Sequence, residues 1–279
     1  MKRVIKLIIV SFILLVVTGC TTNKEFSSEG LVYNLINDGK SYAVVGFTED
    51  CYNRLVPDSY NGLPVTELST SAFENSQMQK IKIGKNVVDM GWYVFSNCVN
   101  LTEIEVDSEN TALVSVDGIL YNHDKTELIA YPAGLNKSSF VLPSNVTSLG
   151  YFAFDNNKYL EEVTLNDNIT VIEGSCFYQA KSLKTVKGIS QVKEITRYAF
   201  YNCEKLENIE FPSTLNTIGG YAFANCTSLK SIKIDENVES IGAYAFTGCT
   251  SLTITCSLSR RPNTWNRDWN GGTKVIWGN

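Results

Sequence analysis

The chain has 279 residues, 24 Lys+Arg against 29 Asp+Glu, a formal net charge of −5 at pH 7 and one histidine. That length can bury one sizeable core, and the acidic balance repels phosphate backbones, so nucleic-acid binding is not expected. The eight cysteines contain no C-x-x-C pair, which removes zinc spacing, and no cofactor or metal-ligand set can be assembled.

Met1-Lys2-Arg3 is followed by an apolar run from Leu7 to Val17, then Thr18-Gly19-Cys20. Such a run is too short for the roughly 20 residues that span about 30 Å of hydrocarbon. A basic start and a short apolar core read as a secretory signal peptide over residues 1–19. Val17-Thr18-Gly19-Cys20 also resembles a lipobox, in which the Cys20 thiol takes a diacylglyceryl group and becomes the mature N-terminus. Cysteine is required because the thioether needs its nucleophilic sulfur. Cleavage would remove Lys2, Arg3 and Lys6 and no acid, shifting the formal charge from −5 to −8. Residues 20–30 are then the lipidated Cys20 and a polar tether.

Residues 31–64 read as an N-terminal cap, with alternating Leu31, Tyr33, Leu35 and Tyr42, Val44 around the hairpin turn Asn37-Asp38-Gly39. Residues 65–255 carry a repeat. The pattern V-x-x-[I/L/M]-x-x-x-[A/V/C]-F ends at Phe73, Phe95, Phe154, Phe177, Phe200, Phe223 and Phe246, with gaps of 22, 59, 23, 23, 23 and 23. A fixed period in this range marks a solenoid whose units cannot bury their apolar faces alone. Within one copy, Ile218, Ala222, Cys226 and Leu229 step by 4, 4 and 3, the spacing of one helical face. Ser69, Gly91, Gly150, Glu173, Thr196, Gly219 and Gly242 stand where that turn would open, and six of these seven are acceptable N-caps. The following L-x-x-I-x-I run reads as a strand. The expected fold is a β-rich leucine-rich-repeat solenoid, each coil one short strand plus a short helical turn.

The long gap holds an insertion at about residues 107–139, in which Gly118–Tyr121 and Leu128–Tyr131 flank Asn122-His123-Asp124-Lys125 as a second hairpin. Residues 256–279 read as the C-terminal cap, with Trp265, Trp269 and Trp277 covering the last coil; a sugar-stacking role for these tryptophans is the alternative.

The string L-P-S-N-V-T-S-L-G-Y-F-A-F (142–154), the recurrent G-x-Y-A-F-x-N-C-x-x-L and the 23-residue spacing resemble the BspA-like leucine-rich repeat family over about residues 55–255. Ser76, Asn157 and Ala180 depart from its repeat cysteine, Glu173 from its glycine, and the last coil slips. The resemblance implies a bacterial surface protein whose repeats bind other proteins, host matrix components among them.

No Ser/His/Asp or Cys/His set can be assembled around His123, which lies in a turn, so no enzyme activity is expected. Cys203, Cys226 and Cys249 recur one repeat apart and read as a ladder of buried thiols; an oxidised pair is the alternative. Lys184/Lys187, Glu207/Glu210 and Lys230/Lys233 alternate in sign between coils, which favours correct stacking. Tyr198, Tyr221 and Tyr244, with Tyr93 and Phe152 before them, stand two residues ahead of each repeat Phe. Rigid rings make good contact surface, and these three tyrosines are the candidate partner-binding residues; packing between coils is the competing explanation. The sequence therefore points to an extracytoplasmic lipoprotein, held at the bacterial cell membrane or surface, whose solenoid binds a protein in adhesion. A carbohydrate- or peptidoglycan-binding module is the runner-up.

If Cys20 carries the lipid, Cys20→Ser leaves the protein released or trapped as precursor. Detergent phase partitioning reads this directly, and equal partitioning of mutant and wild type contradicts it.

Overall fold

The computed structural model describes residues 26–278, so Cys20 and the expected signal peptide lie outside the described residues. Two rows of short strands run along the molecule. One row comes from the L-x-x-I-x-I segments, among them Glu162–Thr164, Thr185–Lys187, Ser231–Ile234 and Thr253–Cys256. The other comes from the segment opening each repeat: Ser148–Leu149, Val171–Ile172, Glu194–Ile195, Thr217–Ile218 and Ser240–Ile241. Parallel partners lie one repeat apart, Ile195 between Ile172 and Ile218, and Val163 between Phe140 and Val186. Side chains alternate as period two demands, so Ile232 and Ile234 are buried while Ser231 and Lys233 are exposed. Between the rows Phe154, Phe177, Phe200, Phe223 and Phe246 stack face to face, with centroids 4.8, 5.0, 5.1 and 5.5 Å apart.

The expected helical turn is absent. Among the described residues the only helical segment is the 3-10 turn Asn37–Gly39, inside the N-terminal hairpin. The coils have strands joined by a run of tight turns instead, two in most of them, while in the Phe200 coil the second is reduced to the isolated bridge of Asn208 with Thr185. The reason is the destination of the backbone N–H groups. A helix consumes them internally, whereas here every second one reaches the next coil. The amides of Tyr198, Phe200 and Asn202 donate to the carbonyls of Gly220, Ala222 and Ala224 at 3.2, 2.7 and 2.8 Å. Those of Ala199, Tyr201 and Cys203 donate back three residues, to Thr196, Tyr198 and Phe200. Left-handed conformations at Tyr198 (φ 60°) and Asn202 (φ 58°) produce this alternation. A chain of such turns also brings residues three and four apart onto one side, which is why the apolar spacing looked helical.

The glycines taken for N-caps act differently. A Cβ on Gly219 would come within 2.4 Å of the Arg197 nitrogen, and one on Gly242 within 2.3 Å of the Gly220 nitrogen. Glycine at these places sets how closely coils approach. The repeat cysteines are free, buried thiols. Sγ of Cys203, Cys226 and Cys249 donates to the carbonyls of Phe177, Phe200 and Phe223 at 3.1, 3.2 and 3.0 Å. Burial pushes the Cys226 thiol well above its ordinary range, so it stays protonated and unreactive. Charge pairing between coils is present but less regular than the alternation suggested. Lys184 reaches Glu161 and Lys187 reaches Glu162 at 2.9 and 2.6 Å, Lys230 stands 3.6 Å from Glu207, and Lys233 turns to Asp235 of its own coil.

At the N-terminal end Leu31–Ile36 and Ser41–Phe47 pair antiparallel around Asn37-Asp38-Gly39, and the second of these strands joins Leu63–Leu68 in parallel. At the other end Trp265 and Trp269 are buried, Trp269 set edge-on to Phe246 at 5.9 Å. The Trp265 indole donates to Val238 O, and the amides of Tyr244 and Phe246 donate to Asp268 and Trp269, completing the ladder. Two of the three tryptophans are therefore unavailable to a sugar ring. The insertion augments the solenoid: Ile119–Asn122 pairs antiparallel with Leu113–Val116 and with Glu127–Ala130, and the last runs parallel to Ser148–Leu149. It also divides the core, one apolar cluster spanning Val44 to Leu120 and the other Ile119 to Trp269.

Phe223 has no solvent exposure and rings above and below it. Phe223→Ala should destabilise by about 3–5 kcal/mol, whereas Lys233→Ala should stay within about 0.5 kcal/mol. Denaturant midpoints of the two variants check the assignment, and a larger loss for Lys233→Ala contradicts it.

Candidate functional site

Two residues per coil adopt the left-handed conformation, and their identities differ in an informative way. The second place, two after the repeat Phe, holds Asn75, Asn97, Asn156, Gln179, Asn202, Asn225 and Gly248. Asparagine and glycine are the residues that tolerate this backbone. Asn side chains also bond from coil to coil, Asn97 to Asn75 at 2.7 Å and Asn225 to Asn202 at 2.8 Å. The first place holds Ser71, Tyr93, Phe152, Ser175, Tyr198, Tyr221 and Tyr244. A bulky ring there carries a backbone cost of about 1–2 kcal/mol, and such strain concentrates at functional sites.

The rings form one run along the turn face. Tyr198 stacks on Tyr221 at 5.2 Å, and Tyr221 meets Tyr244 at 5.4 Å. Tyr244 is 40% exposed, while Tyr198 and Tyr221 are half-buried. The three candidate tyrosines are thus brought together. Two further members, Tyr178 and Tyr201, come from the position after the repeat Phe and were not singled out in the sequence. They stack at 5.0 Å, Tyr201 meets Tyr198 edge-on at 5.5 Å, and Tyr178 lies 6.1 Å from Phe152. Their 23-residue separation was the available signal. They cover the place where Ser175 interrupts the first column. Tyr93 adds the last ring, 4.2 Å from Phe152. A shallow groove of about 520 Å³ lies among these rings and the Asn/Gln side chains. Arg197 lies over the Tyr198 ring at 4.8 Å and donates to its hydroxyl at 3.1 Å, fixing one edge. This surface offers rigid apolar area, neutral amides, the Ser96 and Ser175 hydroxyls and the Glu74 carboxylate. His123 lies in an exposed turn beside Asp124, and among the described residues no group of three or more His, Cys, Asp and Glu is placed to hold a metal.

The run crosses a seam. Ser71, Phe73 and Asn75 donate to Trp92, Val94 and Ser96, and Phe154 and Asn156 donate to Cys176 and Tyr178. Between these, the amides of Tyr93 and Phe95 have no such partner among the described residues, because the inserted strands displace the next coil. Phe95 is correspondingly the one repeat Phe with residual exposure. Asp155 bridges the break, accepting from Ser96 Oγ at 2.8 Å and the Asn97 amide at 3.0 Å. Its carboxyl is buried, and this desolvation outweighs the hydrogen bonds and pushes it up to about 6.

The sequence pattern of the BspA type leucine rich repeat region matches residues 60–137 and 130–253, in six copies. No curated protein matches the chain. Among solved structures, the pneumococcal vaccine antigen PcpA superposes with a TM-score of 0.64 at 21% identity, over 86% of this chain and 71% of that one. A leucine-rich repeat protein from Eubacterium ventriosum gives 0.60 at 24% identity, over 81% of this chain and 67% of that one. A leucine rich cell surface protein from Faecalibacterium prausnitzii gives 0.59 at 16% identity, over 88% and 97%. At these identities the likeness establishes the solenoid fold.

Asp155 makes the seam sensitive to pH. Its folded pKa, about 6, lies above the ordinary 3.8, so between those values the folded state holds more protons than the unfolded one. The stability this gives is fully present below about pH 4 and is lost as pH rises through 6, on the order of 2–3 kcal/mol. Asp155→Asn should remove that loss, so the variant gains on wild type between pH 4 and 7. Urea midpoints across this range provide the check, and parallel pH profiles contradict it.

Proposed function

This chain belongs to the BspA-type leucine-rich repeat family, and from that premise we propose that it is an extracytoplasmic lipoprotein whose turn face binds a protein ligand in adhesion. The observation that carries this reading is the run of rings from Tyr93 to Tyr244, built partly on left-handed positions that disfavour them. Ser71 and Ser175 occupy the same place, so the coil forms without a ring there. Rings held by their neighbours lose little freedom on contact, which is why tyrosine recurs in binding surfaces. The lipid on Cys20 would tether this face outside the membrane, and the cell-surface description of the Faecalibacterium relative supports that address.

Tyr198, Tyr221 and Tyr244 changed together to Ser should weaken binding of the captured partner by more than about 2 kcal/mol, the hot-spot scale. Serine already occupies the same position at Ser71 and Ser175, so the fold can accommodate it. Affinity and unfolding midpoint are measured on the same triple variant. Full affinity with a lowered midpoint removes the stripe from the binding surface, and binding confined to a glycan array replaces the protein ligand with a carbohydrate.

A further inference from the structure

The seam that interrupts the ladder also opens a cleft. A cavity of about 220 Å³ lies between the coil of Phe95 and that of Phe154, with Phe95, Ile104 and Ile129 among its apolar walls. Its mouth is framed by two ring pairs that face each other across the break, Trp92 with Tyr151 at 6.1 Å and Tyr93 with Phe152 at 4.2 Å. Trp92 is 67% exposed and Tyr151 56%. Glu127 and Asp155 complete the lining, which contains no Lys, Arg or His.

The two carboxylates differ. Asp155 is satisfied by Ser96, Asn97 and Asn156. Glu127 is half-buried, and its side chain makes no hydrogen bond or ion pair among the described residues. Glu173 stands near enough to repel it, and this repulsion adds to desolvation in raising the Glu127 pKa. Some carboxylates along the solenoid find cations, as in Glu103 with Lys80, Glu161 with Lys184 and Glu204 with Lys181, whereas among the described residues Glu127 and Glu173 do not. At the cleft, negative charge gathers behind aromatic faces and is left uncompensated. Aromatic faces attract cations within about 6 Å of the ring, Trp most strongly. The cavity is smaller than the roughly 300–1,000 Å³ of small-molecule sites, so it suits a single side chain. Lys and Arg combine an aliphatic stem, matched to the apolar walls, with a charged head, matched to Glu127 and the rings.

We infer that the seam cleft between the Phe95 and Phe154 coils takes one Lys or Arg side chain of the protein ligand. The inference rests on the protein-binding reading above and adds the chemistry of the contact.

The test titrates Nα-acetyl-arginine methylamide and Nα-acetyl-lysine methylamide onto the full-length chain, following by NMR the backbone amide of Gly150, which lines the cavity and is present in every variant. Nα-acetyl-norleucine methylamide and tetramethylammonium chloride are run alongside. At least one cationic amide should bind at least tenfold more tightly than the norleucine amide. Glu127→Gln and, separately, Trp92→Ala should each weaken it tenfold or more, with Glu207→Gln unchanged; unfolding midpoints establish that both variants are folded. Equal binding of the norleucine amide, or indifference to Glu127→Gln, overturns the proposal. Tighter binding of tetramethylammonium than of either amide also overturns it, assigning the cleft to a quaternary ammonium instead. Because the probes act on the isolated protein, a negative result leaves the Tyr198, Tyr221 and Tyr244 surface standing. A triple Ser variant with full affinity would leave the probe result untouched.

Discussion

On the turn side of the coils, away from the seam, alternate backbone N–H groups donate to the coil that follows, and the rest of the molecule accommodates that demand. The amides of Phe154, Phe177, Phe200 and Phe223 reach Cys176, Ala199, Ala222 and Ala245 at 2.8, 2.8, 2.7 and 2.8 Å. Their phenyl rings consequently stack at the same period and fill the axis. Buried amides must be paired somewhere, and in a coil this small the neighbour is the available acceptor. Left-handed residues recur because they turn alternate amides outward. The repeat thiols recur because each gives a Phe carbonyl a second donor. The C-terminal end shows the same constraint, its segment supplying Asp268 and Trp269 as the last acceptors.

The candidate surfaces follow from the ladder and from its one interruption. The ladder fixes a left-handed residue at a set place on each coil, and the side chains there project together along one face. Filling that place with Tyr, against the preference of the backbone, yields the stacked stripe. Inserting three strands between the Phe95 and Phe154 coils breaks the ladder and parts the core into two clusters. The break is closed by Asp155 and by two ring pairs, so acidity and aromaticity meet at the same spot. Stripe and cleft share Tyr93 and Phe152, which makes them parts of one continuous face.

Much of this was legible in the sequence. The Phe spacing gave the solenoid, Asn37-Asp38-Gly39 the first hairpin, and the paired runs around His123 the second, because each is a local pattern with a local cause. The helical turn was misread for a physical reason: a chain of tight turns and a helix both bring residues three and four apart onto one side. The discriminating residue was the asparagine of the N-C dipeptide, present as Asn97, Asn202 and Asn225, which favours a left-handed position over a helix interior. Tyr178 and Tyr201 stand three residues after the first-column places Ser175 and Tyr198, a spacing that shares one side in a helix and in a chain of tight turns alike, so they were within reach of the sequence. The seam was invisible for a different reason, since it consists of hydrogen bonds that Tyr93 and Phe95 do not make, and no local pattern encodes a missing partner.

Amide hydrogen exchange, read residue by residue, tests the ladder and its interruption together. The amides of Phe73, Phe154, Phe177, Phe200 and Phe223 should exchange slowly, each being held by the next coil, while that of Phe95 should exchange faster by orders of magnitude. Protection of Phe95 equal to that of Phe154 would mean that the coils stack without a break, contradicting the seam and the cleft built on it. Rapid exchange at all six would contradict the ladder itself.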